Sequence, residues 1–279
     1  MKKRMPRIFA FLLLAALLAF SLAAAEEGLL SCRFFDVDKG DAMLITFPDG
    51  SRVMIDAGTN KAGKALEKWM RAEGIDRLDA LVITHFDKDH VGGADKLLSS
   101  LSVSCVVIPG YEKESKQHTQ FMQALDESPE TETFVLGPRE EKTFSFGGAD
   151  LLLSAAHEMD YGRDEENDFS LCGRLSYGNT RFLFTGDAED ARQKELLEEG
   201  DLACDVLKVP YHGRAVTASA AFLTACAPEI AWVPDGPEDG ADPGLLQYLE
   251  EKLGAAVYRS ADEGDLLVVS DGETVHAVE

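Results

Sequence analysis

Two widely separated stretches of this sequence repeat one local pattern, and that repetition restricts the fold more than any other feature. Asp49-Gly50-Ser51-Arg52-Val53-Met54-Ile55-Asp56-Ala57-Gly58 leads through a helical pattern to Leu81-Val82-Ile83-Thr84-His85. Tyr177-Gly178-Asn179-Thr180-Arg181-Phe182-Leu183-Phe184-Thr185-Gly186-Asp187 leads through another to Val206-Leu207-Lys208-Val209-Pro210-Tyr211-His212. Each copy runs hairpin, acid, helix, strand, histidine. A two-sheet sandwich built from two such halves brings the strand ends to one edge, where Asp187 and His212 face the loop that starts at His85.

The remaining pattern agrees with such a sandwich. Short apolar runs predict strands at 34–37, 43–47, 52–55, 80–84, 105–108, 134–136, 151–153, 169–175, 181–184 and 206–209. Helical spacing falls at 62–71, 94–99, 117–125, 191–198, 220–225 and 244–253, and loops rich in Gly, Pro and acid at 161–168 and 234–243. Interleaved strands and helices predict an α/β assembly, while the hairpins exclude a purely parallel sheet. With 279 residues, 45% of them hydrophobic, the chain can bury a substantial core.

The first 25 residues stand apart. Lys2, Lys3, Arg4 and Arg7 precede an apolar run from Ile8 to Phe20, and Ala23 and Ala25 form an A-x-A cleavage signal. Residues 1–25 are therefore expected to be a signal peptide and 26–279 a single domain, secreted or otherwise extracytoplasmic. An uncleaved anchor tethering the chain to the membrane is the alternative, and no later stretch has the length and apolarity of a membrane span.

Five cysteines, at 32, 105, 172, 204 and 226, lack the close pairing of a disulfide framework or a zinc ribbon, and are expected as small buried apolar residues. After removal of the leader, 23 basic residues face 50 acidic ones, a formal charge of −27. That surface repels polyanions at long range, so no tight, extended nucleic-acid groove is expected. A local metal ion can still attract one phosphate.

Thr84-His85-Phe86-Asp87-Lys88-Asp89-His90 follows the apolar run Leu81-Val82-Ile83. Imidazole and carboxylate are ligands for zinc and related divalent ions, and a loop at a rigid strand end can splay neighbouring side chains toward two metal positions. Asp89 and His90, being adjacent, point differently from His85 and Asp87. His157 and His118 are read instead as a loop and a helix-surface histidine.

At this point the chain resembles the metallo-β-lactamase superfamily, through His85-x-Asp87-x-Asp89-His90, Ile55-Asp56-Ala57-Gly58, Thr185-Gly186-Asp187 and Val209-Pro210-Tyr211-His212-Gly213. More narrowly, Phe35-Asp36-Val37-Asp38-Lys39-Gly40-Asp41-Ala42 and Leu207-Lys208-Val209-Pro210-Tyr211-His212-Gly213 are similar to the C-terminal hydrolase domain of the ComEC competence family. The resemblance implies an α+β fold, an αββα sandwich of two mixed sheets flanked by helices, with a dinuclear site at one edge. Position by position it implies that His85 and Asp87 hold one ion, that Asp89, His90 and His212 hold the other, and that Asp187 bridges both. Asp87, Asp89 and Asp187 are then the catalytic carboxylates, with Asp56, Asp41 and Asn167 supporting the ligands.

The implied cofactors are two divalent ions, zinc or manganese, because Asp87 in place of a more usual histidine makes one position harder. The implied activity is metal-assisted hydrolysis by a secreted phosphodiesterase or nuclease. Alternatives are an amide, lactam or thioester hydrolase on the same centre, or a catalytically weak surface binding protein. Several neighbours depart from the family pattern. Lys39 stands where glutamine is usual, Tyr211 replaces the first histidine of a pair, and Arg214 replaces a serine. Asp242-Pro243 occupies a His-Pro position, and Asn167-Asp168-x-Ser170 resembles an asparagine-rich segment in place of the superfamily's middle histidine. Lys39, Tyr211 and Arg214 are accordingly candidates for contacting substrate.

Overall fold

The computed structural model describes residues 28–161, 166–236 and 240–278. The expected leader and parts of both expected loops lie outside the described residues. The first half runs β1 (Leu30–Phe34), β2 (Met43–Thr46), β3 (Arg52–Ile55), α1 (Asn60–Ala72), β4 (Ala80–Val82), α2 (Ala94–Ser100), β5 (Cys105–Pro109), α3 (Lys116–Asp126) and β6 (Glu132–Leu136). The second runs β7 (Glu141–Phe146), β8 (Ala149–Ser154), β9 (Cys172–Tyr177), β10 (Thr180–Phe184), α4 (Asp190–Glu199), β11 (Val206–Lys208), α5 (Ser219–Cys226), β12 (Ile230–Val233) and α6 (Pro243–Gln247). It continues with β13 (Ala256–Arg259), β14 (Leu266–Ser270) and β15 (Val275–Val278). One sheet has the order β15-β14-β1-β2-β3-β4-β5-β6 and the other β13-β12-β11-β10-β9-β8-β7. Both are mixed, since hairpins lead into parallel pairs.

Side-chain alternation divides the molecule into four layers. In β3, Val53 and Ile55 enter the core between the sheets while Met54 faces the helices; in β4, Ala80 and Val82 do the first and Leu81 the second. The other sheet behaves alike: Val206, Ile230 and Trp232 point inward, and Leu207, Ala231 and Val233 pack beneath α4, α5 and α6. Strands buried on both faces read as unbroken apolar runs, which is why the sequence displays them so plainly. The αββα sandwich follows. The five cysteines are free and buried within these layers.

Some strands differ from the sequence-based expectation. The strand predicted at 34–37 lies at Leu30–Phe34, because β1 pairs with β14 from Leu30↔Ser270 to Phe34↔Leu266, a partner remote in sequence. Phe169 sits in a 3₁₀ turn rather than a strand, where the Ser170 hydroxyl donates to the Asn167 carbonyl. The strands from β12 onward lie beyond the last one predicted, and β7 falls between two predicted ones without having been predicted.

Arg192, on α4, is fully buried and donates to the Ser154 carbonyl and hydroxyl and to Glu195 and Glu199. Arg192→Met leaves Glu195 without its cation and Glu199 with Arg174 alone, and it orphans the Ser154 carbonyl, so it is expected to cost about 3 kcal/mol. Chemical denaturation monitored by circular dichroism reads this as a lowered midpoint.

Candidate metal centre

The two copies of the repeated pattern fold alike. β3 pairs in parallel with β4 and β10 with β11, so Asp56, His85, Asp187 and His212 leave the corresponding ends of four strands. The Leu171 amide donates to the Thr84 carbonyl at 2.9 Å, tying the two sheets together beside the site. Gly40 packs against the histidine loop so closely that a Cβ there would lie 2.5 Å from the Asp89 carbonyl oxygen. This approach lets the Asp41 amide donate to that same oxygen.

Each of the three site histidines has one ring nitrogen committed to the protein. His90 Nδ1 lies 2.8 Å from Asp56 Oδ2, and His212 Nδ1 lies 2.9 Å from the Pro234 carbonyl. The Thr84 hydroxyl donates to Asp56 at 2.7 Å and therefore accepts from His85 Nδ1 at 3.1 Å. These contacts occupy Nδ1 of each ring and leave Nε2 as the ring nitrogen turned to the centre. All three are buried without a hydrogen-bond partner. Buried polar atoms are ordinarily satisfied, so three buried ring nitrogens set against carboxylates fit a metal centre.

Asp187 stands at the convergence. Its Oδ2 lies 2.8 Å from His212 Nε2 and 3.4 Å from His90 Nε2, while Asp89 Oδ2 lies 3.7 Å from His212 Nε2. Among the described residues four overlapping donor sets each span no more than 4.8 Å. Two of them, His85 with His90 and Asp187, and Asp89 with His90 and His212, are centred on the histidines; the other two, Asp41 with Asp56 and His90, and Asp41 with Asp187 and His212, include Asp41. Burial acts to raise the Asp187 carboxyl, but His212, His90 and Lys208 hold it well below the usual carboxylate range. Burial and the neighbouring His90 push His85 down to about 4, which keeps its ring neutral at physiological pH.

Asp56 is fully buried and carries a left-handed backbone, with φ of 55°. Such a conformation is costly for a residue with a side chain. It is held by what the carboxylate accepts: the Thr84 amide, the Thr84 hydroxyl and the His90 ring. One carboxylate thus orients His90 directly and His85 through Thr84.

The other predicted residues spread around this centre. Asp41 is buried beside it, between His90 and His212. Asp87 turns outward, its side chain about one-third exposed, and pairs with Lys113, which also pairs with Glu166. Asn167 donates to Glu189 at 2.7 Å and lies outside the donor sets. Tyr211 and Arg214 pack on each other, the guanidinium 5.4 Å from the ring centre, and Lys39 abuts Gly236. His157 bonds Glu199, and His118 packs on Phe86, both outside the donor sets.

Four residues of the site escape the sequence analysis: Thr84, Ser170, Lys113 and Lys208. The Ser170 hydroxyl accepts from the Asp187 amide. Lys208 leaves a trace in the sequence, as a cation within the apolar run Val206-Leu207-Lys208-Val209.

The metallo-β-lactamase superfamily profile matches residues 35–234. The chain belongs to this superfamily. Among curated proteins it is similar to ComE operon protein 3 of Bacillus subtilis (strain 168), 28% identical over 221 residues, covering 72% of this chain and 28% of that protein. It is likewise similar to competence protein ComA of Neisseria gonorrhoeae, 27% identical over 235 residues, covering 82% and 30% respectively. The chain thus spans less than a third of these relatives, which belong to the competence family resembled in sequence. Among solved structures, the metallo-β-lactamase fold protein YhfI from Bacillus subtilis shares the fold, with TM-score 0.57 and 13% identity over 89% of this chain and 100% of that one. Yeast PDE1 does so at TM-score 0.55 and 11% identity, over 85% and 99%. CmlA, a diiron β-hydroxylase from Streptomyces venezuelae, matches at TM-score 0.53 and 13% identity, over 85% and 53%.

Proposed function

We propose that this superfamily hydrolase carries a dinuclear divalent centre, zinc or manganese, and cleaves phosphodiesters, with short single strands or small diesters preferred over long duplexes. The observation that carries this reading is the approach of His90 and His212 Nε2 to Asp187 Oδ2, with His85 in the same donor set. The similarity to competence proteins supports a nucleic-acid or related phosphodiester substrate. Divalent ions held by His85, His90, His212, Asp89 and Asp187 would supply an acidified water as nucleophile and positive charge for the developing phosphoryl oxygen.

The chain's own residues then have definite tasks. His85, His90, His212, Asp89 and Asp187 supply donor atoms, and Asp87 joins His85 once its carboxylate turns from Lys113. Asp56 and Thr84 fix the histidine tautomers; Asp41 and Asn167 support the surrounding loops. Lys39, Tyr211 and Arg214, on the flanking segments, meet the substrate beyond the reacting group. The acidic surface disfavours long polyanions, since flanking phosphates find little counterion release there. An extracytoplasmic placement is supported by the basic start, apolar centre and A-x-A end of residues 1–25. Recovery solely from the cytoplasm with Met1 retained contradicts that placement.

The test is a substrate panel on metal-loaded protein: bis-p-nitrophenyl phosphate, short single-stranded oligonucleotides, long duplex DNA, a lactam and a thioester. Faster turnover of the first two supports the reading. Efficient lactam or thioester hydrolysis with the phosphodiesters untouched overturns it, and no turnover on any of them supports a binding protein instead.

A further inference from the structure

A lysine among metal-ligating groups is chemically out of place, because its ammonium competes with metal ions for the same oxygens. Lys208 is fully buried, with Nζ 2.6 Å from Asp41 Oδ2, 2.6 Å from the Gly186 carbonyl and 3.4 Å from Asp187 Oδ1. Apart from this ammonium, neither oxygen of Asp41 has a hydrogen-bond partner. The nearby rings do not serve that carboxylate, since His90 Nδ1 bonds Asp56 and His212 Nδ1 faces the Pro234 carbonyl. Asp41, Asp187 and His212 form one of the two donor sets that include Asp41, as tight as the histidine-centred ones. The ammonium contacts both carboxylates of that set.

We infer that Lys208 is a tethered cation of the centre: its ammonium fills the position bounded by Asp41, Asp187 and His212, limits the centre to two divalent ions, and leaves Asp187 Oδ2 to be shared between them. The inference rests on the metal-dependent reading and adds to it a reason for the number of ions. The geometry supports the division of Asp187, whose Oδ1 faces Lys208 while Oδ2 faces the imidazoles of His90 and His212. An ammonium suits this place because it supplies one charge where a free divalent ion would supply two, close to two others.

Lys208→Met keeps the length of the side chain and removes its charge. With Mn²⁺ as probe, metal content after gel filtration is expected to rise from two ions per chain in the wild type to three in the variant. A role in packing alone predicts the opposite direction, fewer ions. If Lys208→Met is unfolded without metal, millimolar Mn²⁺ is expected to restore its fold, because the ion takes the ammonium's place. The double variant Asp41→Asn with Lys208→Met removes both charges of the pair, so it should fold and return to two ions. The inference is overturned by a Lys208→Met protein that holds two ions or fewer, by one that Mn²⁺ fails to refold, or by a double variant that does not fold. A wild type that binds no Mn²⁺ overturns the metal-dependent reading itself, a result distinct from equal stoichiometry in wild type and variant.

Discussion

Asp187→Ala is expected to empty both ion positions together and to lower hydrolysis on the order of a thousandfold, the scale seen when a preorganised electrostatic group is removed. The reason is geometric. Asp187 Oδ2 lies 2.8 Å from His212 Nε2 and 3.4 Å from His90 Nε2, so it borders both histidine-centred donor sets. Removing Asp89, by contrast, touches the set formed with His90 and His212 and leaves the other whole. Metal content and turnover, measured side by side on the two variants, separate a shared ligand from a private one. The fold should survive, because Lys208 keeps its partners Asp41 and Gly186. Loss of a single ion from Asp187→Ala would contradict the bridging role.

The second large effect is expected at a residue that donates no atom to the two histidine-centred donor sets. Asp56→Ala should weaken divalent-ion affinity about 10- to 100-fold, as is usual for groups that orient histidine ligands. Without its carboxylate, His90 Nδ1 and the Thr84 hydroxyl lose their acceptor, and the restraint on His85 goes with them. Competition against a chromophoric chelator reads the affinity directly. An unchanged affinity would mean that the rings are held in place by packing instead.

Much of this was legible in the sequence because the strands carrying the site are buried on both faces. Met54, Leu81 and Leu207 face helices while their neighbours enter the central core, so β3, β4 and β11 read as apolar runs ending in acid or histidine. The hairpin–helix–strand repeat survives folding as two parallel pairs, Ile55↔Val82 and Leu183↔Leu207. Strand β1 was displaced because its limits depend on β14, a pairing that local periodicity cannot express. Strand β7 has no buried residue, and its alternation separates half-buried from exposed side chains, too weak a contrast to mark an apolar strand.

The site was legible as a ligand set, less so in its electrostatics. Spacing marks His85, Asp87, Asp89 and His90 as a group, but cannot reveal that Lys113, from the segment after β5, draws the Asp87 carboxylate outward. Nor does it show that Lys208 reaches Asp41, since that contact joins residues remote in sequence. The sequence marks which side chains can bind a cation; the packing of the loops decides which already have one.

The most direct measurement is the divalent-metal content of the wild-type chain after chelation, reconstitution with Zn²⁺ or Mn²⁺ and removal of free ion. Two donor sets that share His90 and border Asp187 Oδ2 predict two ions per chain, both lost in Asp187→Ala. Fewer than one ion per chain in the reconstituted wild type would contradict the account.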